Sequence, residues 1–206
     1  MCIRDRYRAI SNVLYAVDED NSSRLVVIGV PKALSNPTIY DANGLYARGI
    51  GDGAFQDCVY MTRIALNTNL SFVGEGAFRN CASLQEVNVN AVTKLESLGA
   101  FAFENCISLQ ELLIPDTVRI MGSYLLKGCS NFRTLVFEGE TPPVLEGKLF
   151  SEVPEDFRIL VPSSQDDFVY QEYVRAMPEY ASYMDTEDGA AARAGAKAVP
   201  ENSTIE

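Results

Sequence analysis

The 206-residue chain contains no histidine and no tryptophan. Histidine is the commonest general base and metal ligand near neutral pH. Its absence excludes imidazole-assisted nucleophiles, Ser-His-Asp triads and His-ligated metals, and with them most enzyme classes. Positive charge is also scarce: 17 Lys and Arg stand against 28 Asp and Glu, leaving a formal charge of -11. Nucleic acid and anionic membrane surfaces require clustered cations, so neither is an expected partner. No apolar run approaches the ~20 residues of a membrane-spanning helix, and the densest, Leu25 to Val30, is strand-sized. What is present is 47% hydrophobic and 22% charged residues. That is enough for the core of one good-sized domain, and it argues against disorder over most of the length.

The ends of the chain are set apart first. Residues 1–6, Met-Cys-Ile-Arg-Asp-Arg, back-translate to ATG TGT ATA AGA GAC AGx. This resembles the transposon end used to fragment DNA for sequencing, so the six residues are read as translated adapter and excluded from fold reasoning. On that expectation the chain is a fragment of a longer gene. Residues 186–206 are rich in Ala and Gly and poor in large apolar side chains. Such a segment buries too little surface to offset its ordering entropy and is expected to be a disordered tail or linker.

Between the ends lies a repeat. Four segments align without gaps: IGDGAFQDCVYMTRIAL (50–66), VGEGAFRNCASLQEVNV (73–89), LGAFAFENCISLQELLI (98–114) and MGSYLLKGCSNFRTLVF (121–137), with starts 23, 25 and 23 residues apart. Each opens on an apolar residue and Gly, then carries Phe55, Phe78, Phe103 or Leu126, and then Cys58, Cys81, Cys106 or Cys129. Three residues past each Cys comes Met61, Leu84, Leu109 or Phe132, and three before each start sits Ala47, Leu70, Leu95 or Val118. A period of 23–25 residues is that of a solenoid whose single turn cannot hide its apolar face alone. The stretch Glu86–Val89 alternates polar and apolar, which predicts a short strand with Val87 and Val89 inward. Ala77, Phe78 and Cys81 suit one helical turn. Gly51, Gly74, Gly99 and Gly122 are read as tight corners. Stacked turns would place strand on strand at about 4.8 Å in a parallel ladder.

This pattern resembles the BspA-type leucine-rich repeat of bacterial surface proteins, with units reading roughly I-G-x-x-A-F-x-x-C-x-x-L-x-x-I-x-I-P. The turns at 73–89 and 98–115 match most completely, and Tyr124, Leu125 and Leu126 depart from it. Residues 12–31 resemble the hairpin that precedes the family's repeats, with Asp18 to Ser23 as its turn. Residues 158–184 resemble the family's closing strand and helix, and Pro178 and Tyr180 stand where a Trp is usual. The helix is expected to start near Ser164 as N-cap and to bury Phe168, Tyr170 or Tyr173, and Val174. The resemblance implies an α/β repeat solenoid, a right-handed leucine-rich-repeat superhelix of four to five turns. Its expected parts are an N-terminal hairpin and first turn (7–46), repeats (47–140), a C-terminal half-repeat with a strand–helix cap (141–185), and the tail.

The four repeat cysteines would form one column. Same-facing ligands do not converge on a metal, and stacked positions sit further apart than the about 3.8 Å a disulfide needs between Cβ atoms. They are read as buried thiols packing the core. Asp18 to Asn21 lack the spacing of a calcium loop. The sequons at Asn21, Asn69 and Asn202 are accidental in a bacterial chain. Ser163 and Ser164 have no base beside them, and Glu155, Asp156, Asp166 and Asp167 are loop or helix-start carboxylates. No catalytic residue, metal or cofactor is expected. The functional surface that remains is the outward side of the ladder, and the candidate contact residues are Arg63, Glu86, Asn88, Glu111, Leu113, Thr134 and Val136. Apolar residues rimmed by polar ones mark a contact surface.

The resemblance implies a non-enzymatic, protein-binding module of a secreted or cell-surface bacterial protein, acting in adhesion to a host matrix or cell-surface protein. Two other readings stay open: a passive spacer in a larger surface protein, and an accessory module of a secreted enzyme.

Overall fold

The structure is a computed structural model that describes residues 7–10, 13–17, 24–33, 46–66, 68–88, 93–152, 154, 156–163 and 167–186. The expected adapter residues, the hairpin turn Asp18 to Ser23, Val89, Ser164 and the expected tail from residue 187 onward lie outside these.

Three strands open the chain: β1 (Tyr7–Ile10), β2 (Val13–Val17) and β3 (Arg24–Gly29), successive antiparallel neighbours. Strand β3 then pairs in parallel with β4 (Tyr46–Ile50). It is therefore both the second arm of the hairpin and the first rung of the solenoid. From there the chain alternates between two faces. One face stacks β4, β6 (Phe72–Val73), β8 (Ser97–Leu98), β10 (Ile120–Met121) and β12 (Val144–Leu145) in parallel. The other carries β5 (Arg63–Ala65) and β7 (Glu86–Asn88), then β9 (Glu111–Ile114), β11 (Thr134–Phe137), β13 (Arg158–Val161) and β14 (Met184–Thr186). Counting β3, the first face has six parallel rungs, more than the four to five turns expected. The outer rungs lack the Gly and Cys positions by which the inner ones align.

The expected helical turn between the faces does not form. Instead the N–H groups of Gly76, Phe78 and Asn80 donate to Ala100, Ala102 and Glu104 of the next coil at 2.9, 2.8 and 2.8 Å. The N–H groups of Arg79 and Cys81 stay within the coil, donating to Gly76 and Phe78 at 2.9 and 3.2 Å. A helix would keep every donor local; here alternate donors point along the solenoid, so the arch adds a third line of coil-to-coil bonds beside the two ladders. The arch needs left-handed backbone at two places per coil: Gly53 and Asp57, Gly76 and Asn80, Phe101 and Asn105, Tyr124 and Gly128. Asn, Asp and Gly visit that region most readily. Amides close a second ladder there, Asn80 donating to Asp57 Oδ1 at 2.8 Å and Asn105 to Asn80 Oδ1 at 2.9 Å.

The Gly51–Gly74–Gly99–Gly122 column has a different cause from the corner expected of it. None of these residues has positive φ. A Cβ on Gly99 would lie 2.6 Å from the backbone N of Glu75, and one on Gly122 would lie 2.2 Å from that of Ala100. The glycines let successive backbones touch.

Inside, columns of like residues stack. Phe55, Phe78 and Phe103 lie face to face with centroids 5.1 and 5.2 Å apart. At the far end, helix α1 (Phe168–Ala176) and a 3₁₀ segment (Pro178–Tyr183) close the core. The Tyr173 hydroxyl donates to Gly139 O at 2.7 Å, and the Tyr180 hydroxyl accepts from Leu149 N–H at 2.8 Å. Tyr180 is thus anchored under the closing element, 3% exposed. The helix begins at Phe168 with Asp167 as N-cap, in left-handed backbone and without a side-chain cap. Val169 and Tyr173 are its buried residues, whereas Phe168, expected inward, is 65% exposed.

A split in the ladder face

The seven candidate residues fall in two outward columns. Register aligns Arg63 with Glu86 and, in the second block, Glu111 with Thr134. The neighbouring column aligns Ala65 with Asn88, and Leu113 with Val136 and Leu160. Arg63, Glu86, Asn88 and Glu111 are exposed; Leu113, Thr134 and Val136 are half-buried.

The ladder is not continuous. Strands β5 and β7 form one sheet, β9, β11, β13 and β14 another, and β7 and β9 are not hydrogen-bonded neighbours. A cleft of about 270 Å³ opens at this break, lined by Gln85, Glu86, Val87, Asn88, Glu111 and Leu113. Four of the seven candidate residues therefore meet in one place, while Arg63, Thr134 and Val136 lie outside the cleft.

The sequence cause is local. The repeat starting at Val73 is 25 residues long where its neighbours are 23, and the two extra residues fall between Asn88 and Ser97. On both sides of this coil the faces are joined by shorter links, from Ala65 to Phe72 and from Ile114 to Ile120. The first face keeps its register through the insertion, Phe72 against Ser97, so the slack is taken up on the second face. Thr134 N–H donates to Gln110 O at 3.1 Å. Strand alternation then turns the Glu111 and Leu113 backbone groups the other way, toward the break. Neither Glu86 nor Glu111 forms an ion pair among the described residues.

The cysteine column does more than fill space. Cys81, Cys106 and Cys129 each donate S–H to a carbonyl of the preceding coil, Phe55, Phe78 and Phe103, at 3.1, 3.2 and 3.0 Å. Each of those carbonyls also accepts the N–H of its own coil's Cys. Burial pushes the thiols of Cys81 and Cys129 up to about 12, and raises those of Cys106 and Cys58. Thiols held in that state are poor nucleophiles and poor metal ligands.

Sequence reasoning missed one charged cluster on the arch. Glu104, 5% exposed, pairs with Lys127 at 2.9 Å and with Arg79. Burial alone would raise its carboxyl, but the hydrogen bonds and charges of Lys127 and Arg79 outweigh that and hold it below its ordinary value. Arg79 and Lys127 also lie 5.3 and 5.6 Å from the Phe101 ring centroid, and Tyr124 stacks on that ring at 5.7 Å. The signal in the sequence was the alternation of charge at one repeat position: Arg79, Glu104, Lys127. Among the described residues no helix is long and apolar enough to cross a membrane.

Short parallel rungs of two to six residues, stacked at a 23–25-residue period with a Leu/Phe/Cys interior, define a leucine-rich-repeat solenoid. The pattern described as "BspA type Leucine rich repeat region" matches six copies over residues 48–154, just over half of the chain. The chain belongs to the BspA-type leucine-rich repeat family. Three solved structures share its fold. The leucine-rich repeat protein of T. pallidum matches with a TM-score of 0.62 at 18% identity, over 76% of this chain and 71% of its own. The pneumococcal vaccine antigen PcpA matches with a TM-score of 0.63 at 18% identity, over 88% of this chain and 46% of its own. A leucine-rich cell surface protein of Faecalibacterium prausnitzii A2-165 matches with a TM-score of 0.55 at 20% identity, over 98% of this chain and 44% of its own. The chain thus spans under half the length of the last two. Comparison with curated proteins gives no match.

Proposed function

We propose that this chain is a non-enzymatic protein-binding module of a bacterial surface or secreted protein, acting in adhesion to a host matrix protein or to a protein on another cell. The observation that carries the reading is the cleft in the ladder face. It draws together the exposed polar side chains of Glu86, Asn88 and Glu111 with half-buried Leu113. A solenoid presents such a face rigidly, because its neighbouring coils fix every strand. An exported setting is supported by the family and by two structural neighbours, one a vaccine antigen and one a cell surface protein. The absence of histidine and the inert thiols favour binding over catalysis.

The test is binding of the purified chain to immobilised fibronectin, laminin and collagen and to intact epithelial cells. The Glu86→Lys/Glu111→Lys double variant is run alongside, with circular dichroism verifying its fold. Loss of binding in the double variant is expected. Equal binding by the variant would move the contact off this face. No binding by the unmodified chain to any of these surfaces would refute the adhesion reading in favour of a spacer.

A further inference from the structure

We propose that the cleft between β7 and β9 receives the Lys or Arg side chain of an extended segment of a partner protein. The inference rests on the protein-binding reading above and adds the chemistry of the contact.

Three observations converge. The first is the interrupted ladder: β7 ends one sheet and β9 begins another, the one junction of this face without ladder bonds among the described strands, yet the two strands approach within 8 Å between Cα atoms, so the break is a groove between two rows of outward side chains. A groove that narrow has no room for a further strand, which would need about 4.8 Å on each side, so what enters it is a side chain reaching in from the outward face. The second is size. At about 270 Å³ the cleft falls just below the range of roughly 300–1,000 Å³ typical of small-molecule sites. It suits one long side chain better than a whole ligand. The third is charge complementarity. Glu86 and Glu111 stand on opposite sides of the break, and neither forms an ion pair among the described residues. Glu104, by contrast, is satisfied by Arg79 and Lys127. Gln85 and Asn88 add amide carbonyl acceptors beside the two carboxylates, and half-buried Leu113 offers apolar surface to an alkyl stem. A Lys or Arg has that combination of apolar stem and multi-donor cationic head. The net charge of -11 would draw such a segment in from a distance.

The test titrates the isotope-labelled chain with two synthetic extended peptides, one alternating Arg and Thr and one alternating Glu and Thr, followed by NMR amide shifts. The expected result is shifts confined to the residues around Glu86, Asn88, Glu111 and Leu113, with the basic peptide only. The isosteric Glu86→Gln/Glu111→Gln variant should bind at least tenfold more weakly while keeping the native spectrum elsewhere. Basic-peptide shifts scattered over other acidic surface, or undiminished affinity in the variant, would overturn the proposal. If the peptide fails at the cleft while matrix or cell binding is still lost in the charge-reversed variant, the protein-binding reading stands and the cationic side chain does not. If the peptide binds at the cleft and the chain binds no matrix or cell surface, the cleft chemistry stands and the adhesion reading falls.

Discussion

Replacing Gly122 with alanine tests the packing logic of the solenoid most severely. The added methyl would lie 2.2 Å from Ala100 N, 2.6 Å from Gly99 C and 2.7 Å from Ala100 Cα, all of them backbone atoms of the preceding coil. Ordinary contact begins at 3.4 Å, so the two coils must part by roughly an ångström. That separation stretches the 2.8 Å bond from Gly122 N–H to Leu98 O beyond hydrogen-bonding range. It also strains the β8–β10 pairing of Leu98 with Met121. Overpacking of this kind costs about 1–3 kcal/mol, and a buried backbone group left unpaired about 1–3 more. The expected loss is about 2–6 kcal/mol, which lowers Tm by about 4–24 °C in a protein of this size. Two other glycines grade the argument. Gly76→Ala has left-handed backbone (φ 57) but meets nothing closer than Arg79 Cβ at 3.7 Å, so it costs only the conformational strain of about 1–2 kcal/mol. Gly29→Ala meets nothing within 4 Å and is expected to be neutral. Urea and thermal unfolding followed by circular dichroism give the ranking. A Gly122→Ala chain that unfolds with the unmodified protein, or a Gly76→Ala chain less stable than Gly122→Ala, would refute close backbone approach as the reason for this column.

Two further outcomes follow from the interior chemistry. Glu104→Gln keeps the shape of the charged cluster and removes its carboxylate, which should destabilise the chain by about 1–3 kcal/mol at pH 7, since the partners Arg79 and Lys127 are part-exposed. The Glu104 carboxyl is held below 4.5 when folded. Its contribution is therefore complete above that pH and is lost as pH falls through the lower folded value. The difference between the two unfolding curves should stay constant above pH 4.5 and shrink as pH falls below it, and a gap that does not change with pH would contradict the ion cluster. Cys81, Cys106 and Cys129, with raised thiols inside the core, should react with an aromatic disulfide reagent only as fast as the chain unfolds. Rapid labelling at Cys81, Cys106 or Cys129 in the native protein, located by mass spectrometry to separate it from Cys2, would contradict the S–H to carbonyl column.

Much of the fold was legible because a repeat displays its own alignment. The repeat alternation placed Val87 inward and Glu86, Glu111 and Thr134 outward; Val87 is buried, and Leu112 and Leu135 hold the same place in the next coils. Less legible was whatever depends on the contact between copies. Gly99 and Gly122 look like turn residues in one coil, and only the neighbouring backbone reveals them as points of close approach. The arch around Phe78 reads as helical from spacing alone, but its alternate donors belong to the next coil. Asp57, Asn80, Asn105 and Gly128 did carry a signal, since all four types tolerate left-handed backbone at one repeat position. Phe168 sits at the first helical residue, before the helix face turns inward at Val169 and Tyr173. The split between β7 and β9 was written in the 25-residue spacing. Its consequence for the candidate residues required the register of both faces.

The central claim is that the ladder face is open at one place, where the candidate residues meet. Amide hydrogen exchange resolved by residue tests it most directly. Glu111 and Leu113 N–H face the break, whereas Thr134 N–H is bonded to Gln110 O at 3.1 Å within the continuous block. The account predicts that Glu111 and Leu113 exchange at least a hundredfold faster than Thr134 and Val136 in the native chain. Equal protection across β9 and β11 would mean that β7 and β9 are paired in solution, and the cleft would be lost as a site.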